Sequence, residues 1–193
     1  MDERVQESWE RFLHPAALRT NMITASLIIT AYELLKDAVI SRIRDFFSIG
    51  SKESSPKYRA DVLSKNKSPL YASLQWLKEV EAINDDDLVT FDLVKRFRND
   101  LAHEPARFLT DGLPNEWPDR FNEIVKLVGK IEKWWIFNVE IPSNPEYHGE
   151  EIKEEDILPG AIMTLKLMFE IALGSEEESM RYFNHFVEKK SKL

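Results

Sequence analysis

The stretch Ala17–Phe47, ALRTNMITASLIITAYELLKDAVISRIRDFF, decides the fold by its periodicity. Leu27, Ala31, Leu34 and Ala38 recur at intervals of three and four residues, and Ile28, Tyr32, Leu35, Val39 and Phe46 form a second stripe beside them. Two adjacent stripes make an apolar surface too wide for a helix lying on one neighbour. The segment is therefore expected to be a long central helix covered on several sides. It does not read as a membrane span. Its most apolar part, Met22 to Leu35, is broken by Thr24, Ser26, Thr30, Tyr32 and Glu33, whereas a span needs ~20 mostly apolar residues.

Working outward, Val5, Trp9, Phe12 and Leu13 predict a short first helix ending at His14-Pro15. After the central helix, Gly50 to Pro69 is rich in Ser, Lys and Pro and reads as a basic loop with a turn of helix at Arg59 to Leu63. A third helix is expected from Leu70 to Ile83, with Leu70, Leu74, Leu77 and Val80 inward. Asn84-Asp85-Asp86-Asp87 supplies a cap and negative charge for a fourth, Leu88 to His103, which Pro105 stops. A loop to Pro118 and a fifth helix, Asp119 to Phe137, follow; Phe121, Ile124, Val125, Leu127, Val128, Ile131, Trp134 and Trp135 are its core candidates. Residues 138–156 read as an exposed acidic connector. Two last helices, Pro159 to Leu173 and Glu176 to Lys189, are separated by Gly174-Ser175. The nearest approach to a strand is Val139-Glu140-Ile141, which is short. The expectation is one all-α domain over 1–193: a core of 17–137, the connector 138–156, and a C-terminal helical pair over 157–193.

Composition narrows the function classes. A chain of 193 residues, 43% hydrophobic and 31% charged, suits a single folded domain. It has no cysteine, which removes disulfides, thiolate metal sites and cysteine nucleophiles. The amino terminus is charged and of mixed sign, unlike a secretory signal, so a cytoplasmic protein without a membrane association is expected. The net charge is −8, of which −6 falls between Glu140 and Asp156, leaving a body near neutrality. Such a protein does not coat nucleic acid through bulk charge, although local basic patches suffice for a short RNA.

One cluster carries chemistry: Arg98-Asn99-Asp100-Leu101-Ala102-His103. On a helical wheel Phe91, Leu93, Val94, Phe97, Leu101 and Ala102 form the expected core face, with Arg98 at its margin. Asn99 and His103, four apart, share another face. A guanidinium offers a fork of donors matched to phosphate, an imidazole takes or gives a proton near neutral pH, and an amide orients either. These groups suit cleavage of a phosphodiester by its own 2′-hydroxyl, with no metal or cofactor required. The four histidines are scattered and show no metal-ligand spacing. Arg98 and His103 stand about 140° apart at 100° per residue. One helix does not easily aim both at one phosphate, but two copies about a two-fold axis can.

The six residues resemble the Arg-x4-6-His signature of the HEPN superfamily (higher eukaryotes and prokaryotes nucleotide-binding), including the polar residue directly after the arginine. The resemblance implies a helical bundle of about six to seven helices, here with two additional C-terminal helices. It implies a homodimer whose two motifs line one cleft, and metal-independent endoribonuclease activity in defence or stress, with RNA as substrate and an antitoxin protein as a partner. It implies Arg98 and His103 as catalytic, with Asn99 as helper. Glu104-Pro105 stands where some toxin members carry a tyrosine. The alternative is a non-catalytic helical scaffold holding a nucleotide or a protein. Tyr32 reads as core, Glu33 and Asp100 as surface, and Trp134-Trp135 as core and interface rather than a base-stacking platform.

Overall fold

The computed structural model describes residues 2–48, 55–147, 149 and 151–190. Lys52 and Glu53 of the expected basic loop, His148, and Glu150 of the acidic connector lie outside them. The described residues are all-helical, without a strand. No helix among them is long and apolar enough to cross a membrane.

Helix α1 (Glu3–Leu13) is capped by the Asp2 carboxylate and buries no residue. Pro15 then opens α2 (Pro15–Phe47), whose buried residues run from Thr24 through Ile28, Ala31, Tyr32, Leu35 and Val39 to Ile43. This is the central helix that the paired stripes predict, and α4 (Pro69–Glu79), α5 (Asp85–His103), α7 (Trp117–Trp135) and α9 (Gly160–Leu173) all pack on it. Phe46 ends the second stripe 39% exposed, its ring against Trp135 at 5.3 Å between centroids.

Prolines account for two departures from expectation. Pro56 opens the short α3 (Pro56–Asp61) three residues ahead of the helical turn expected at Arg59 to Leu63, and the helix buries Tyr58. Pro105 stops α5 as expected but also opens α6 (Pro105–Asp111), where a loop is predicted. A proline lacks only an N–H that the first helical position does not use, and its fixed φ suits a helix start. Buried Phe108 holds α6 to the body, and Gly112 ends it at φ 85°.

Helix α4 stops at Glu79 rather than Ile83, because the chain turns at Glu81 with φ 61°. Within α5 the buried line is Phe91, Val94, Phe97 and Leu101; Leu93 and Ala102, expected in the core, are exposed. The contact with α2 and α7 is narrower than the apolar arc of the sequence. The strand-like Val139-Glu140-Ile141 is helical: a π-turn over Ile136–Glu140 continues α7 into α8 (Ile141–Ser143). Arg42 of α2 binds Glu132 of α7 at 2.7 Å and also Glu140, which ties this extension to the central helix. Beyond the mostly exposed connector, α9 returns to α2 and α7 through Ile162 and Leu165, and Gly129 leaves room for Ile162. The last helix, α10 (Glu176–Lys190), buries nothing and packs mainly on α9. The two C-terminal helices thus differ in kind: the first belongs to the core bundle, the second does not.

Candidate functional site

The motif helix is well defined at both ends. At its start the Asn84 side chain accepts from the Asp87 N–H at 2.9 Å, and the Asp87 carboxylate accepts from the Asn84 N–H at 2.8 Å. This reciprocal capping box and three acids in the first turn favour helix initiation here. At the far end Pro105 forbids a further turn, which leaves His103 as the last helical residue.

Arg98 turns inward toward α2. Its guanidinium donates to the Glu33 carboxylate at 2.5 Å and to the Asn99 amide oxygen at 3.3 Å, and its centre lies 5.5 Å from the Tyr32 ring centroid. The Nε–H is buried and meets no acceptor among the described residues. The side chain as a whole is 27% exposed. Glu33 also accepts from Lys36 at 3.0 Å. Burial opposes ionisation of Glu33, but Lys36 and Arg98 together outweigh it and hold the carboxyl below its ordinary range. Tyr32, packed against Phe91 at 6.0 Å, is pushed up to about 12 by burial despite the nearby Arg98 charge.

The structure brings Arg98 and Asn99 together. It does not bring His103 to them: among the described residues no hydrogen bond or ion pair joins His103 to either, and its side chain is exposed. This matches the angular separation along the helix. Glu33, expected as plain surface, is instead the principal partner of Arg98. The only charged residue between Arg19 and Lys36, it stands alone in an apolar run, a signal that could have singled it out.

A second polar group, not singled out by sequence, lies one to two turns earlier on α5. The Tyr71 hydroxyl of α4 donates to Asp92 at 2.7 Å, and Lys95 donates to that hydroxyl at 3.0 Å while standing 4.5 Å from the Tyr71 ring centroid. Asp92, Lys95, Asn99 and His103 follow one another at spacings of three and four, so they form a polar stripe along α5. The Trp134-Trp135 pair is core: Trp135 is buried, and the Trp134 indole N–H donates to the Val80 carbonyl at 3.1 Å. A groove of about 570 Å³ lies between α1 and α6 against Val5, Trp9, Phe12 and Leu109, and no motif residue lines it. Among the described residues no three His, Asp or Glu side chains are grouped as a metal site needs.

The arrangement offers one oriented cation with an unspent donor, one exposed imidazole at the end of the same helix, and a polar stripe connecting them. Comparison with known proteins finds no match to the sequence among family models, curated proteins or solved structures.

Proposed function

We propose that the chain is a HEPN-type, metal-independent endoribonuclease that acts as a homodimer in defence or stress. The observation that carries this reading is Arg98: a helix-borne guanidinium fixed by Glu33 and Asn99, with a buried Nε–H that no acceptor among the described residues satisfies. An unsatisfied buried donor is costly and calls for an explanation. The side chain is 27% exposed, so a phosphate can reach the open edge of its fork.

In the proposed reaction the RNA 2′-oxygen attacks the adjacent phosphorus. The new O2′–P bond forms as the P–O5′ bond breaks, which leaves a 2′,3′-cyclic phosphate and a 5′-hydroxyl. One base removes the 2′ proton and one acid protonates O5′. His103 takes one of these roles and His103 of the partner subunit the other. Arg98 stabilises the charge that develops on the phosphate, and Asn99 keeps the guanidinium in place.

The scaffold reading has one observation in its favour. Glu33 already occupies part of the Arg98 fork, as it would in a purely structural ion pair. The two readings separate on RNA cleavage measured in the presence of a chelator. The ribonuclease reading expects 2′,3′-cyclic phosphate products and a loss of about a hundredfold or more on His103→Ala. Because the His103 side chain is exposed, that variant should lose less than about 0.5 kcal/mol of stability, so lost activity would reflect chemistry and not unfolding. Glu33→Gln should strengthen RNA binding by removing a competing carboxylate. Turnover unchanged in His103→Ala would sink the enzyme, and RNA binding unaffected by Glu33→Gln would leave the ion pair a structural one.

A further inference from the structure

We propose that α10 is a self-association helix: two copies of the chain pair it antiparallel about a two-fold axis passing beside Phe183. This stands apart from the ribonuclease reading, because it uses neither α5 nor its motif.

Polar contacts tie the first half of α10 to the body. Glu178 caps Ser175, the Ser179 hydroxyl donates to the Gly174 carbonyl at 3.3 Å, and Arg181 and Tyr182 both reach Glu170 at 2.5 Å. The second half carries large apolar side chains in the open: Phe183 is 59% exposed, Phe186 65% and Val187 46%, joined by Met180 at 42%. At 100° per residue these four fall within an arc about 120° wide, centred on Phe183. A 15-residue helix is marginal in water on its own. One that buries nothing and displays two phenylalanines has an unfilled contact.

The order of residues says what fills it. Reversed about Phe183, the helix complements itself: Met180 comes opposite Phe186, Ser179 opposite Val187, and Glu176 opposite Lys190. Glu176 and Lys190 both lie within about 20° of the centre of the apolar arc, so each end of the seam closes on an ion pair. The acids Glu176–Glu178 and the lysines Lys189 and Lys190 mark opposite ends of α10, and antiparallel pairing also sets the two helix dipoles head to tail. A closed two-fold contact requires such self-complementarity of one patch; a foreign helix requires none. A lipid surface fits poorly, since interfacial helices carry a predominantly cationic polar face, whereas here Glu177, Glu178 and Glu188 accompany Arg181 and Lys189.

The test is sedimentation equilibrium of the full chain, compared with variants that touch nothing buried. Phe183→Glu should lower the wild-type mass to that of whatever assembly the motif face forms alone. Glu176→Lys and Lys190→Glu should each weaken association about tenfold, and the double variant should restore it. Because the chain has no cysteine, Phe183→Cys gives a single thiol beside the proposed axis. A short bis-maleimide should join two such chains readily, and should fail with His185→Cys on the opposite side of the helix. A monomeric wild type at high micromolar concentration, a mass indifferent to Phe183→Glu, equal cross-linking at 183 and 185, or monomeric binding to anionic phosphatidylserine vesicles would each overturn the proposal.

Discussion

The Tyr32 ring sits under the Arg98 guanidinium, yet burial outweighs that charge and pushes the phenol up to about 12 from an ordinary 10.0. The folded chain therefore keeps this proton between pH 10 and 12, where the unfolded chain releases it. Tyr32 contributes its full share of stability below pH 10 and loses it as the pH rises toward 12. The loss should be about 2 kcal/mol across that window, and denaturant titrations of Tyr32→Phe should lack it. Equal alkaline loss in both proteins would show that Tyr32 ionises freely. At this scale the sequence was legible for residues close in the chain and opaque for those that meet in space. Arg98, Asn99 and His103 announce themselves by spacing, whereas Tyr71, Asp92 and Lys95 converge only once α4 and α5 are placed side by side. Nothing in one sequence pairs positions 71 and 92.

Elements were readable where a local rule acts alone. The central helix follows from its stripes, and the start of α5 from Asn84 and Asp87, whose capping box forms as the residue types require. Asn84→Ala should cost about 1 kcal/mol in a denaturant titration, with the loss confined to the cap. A change below about 0.3 kcal/mol would mean that packing against α2 and α7, and not the cap, fixes the helix start. Helix α6 and the first turn of α3 are not legible in the sequence, because a proline read as a terminator is equally a helix start. Each begins at a proline and is held by one buried aromatic ring, Tyr58 or Phe108, and that anchorage is a tertiary effect. The same limit explains Leu93 and Ala102: an apolar arc shows which residues can be buried, while the number of neighbours decides how many are.

Across the whole molecule, burial is concentrated in α2, α4, α5, α7 and α9, while α1 and α10 at the two ends bury nothing. Stability should be graded accordingly. In hydrogen exchange the amides of α1 and α10 should exchange well before those of α2, α5 and α7. Raising the protein concentration should slow exchange in α10 but not in α1, because association protects only the helix it covers. Uniform protection from end to end would contradict this gradient. A further consequence follows from the rings gathered where α2, α4 and α7 meet. Trp76 lies 6.0 Å from Trp135, nearly parallel at 22°, and 6.0 Å from Trp134, while Phe46 and Phe47 close the group. At such spacings the indole transition dipoles couple, so absorbed light is shared among chromophores and passed from one to the next. The interior should carry its own optical signature, an exciton couplet and depolarised emission that vanish when these three helices part.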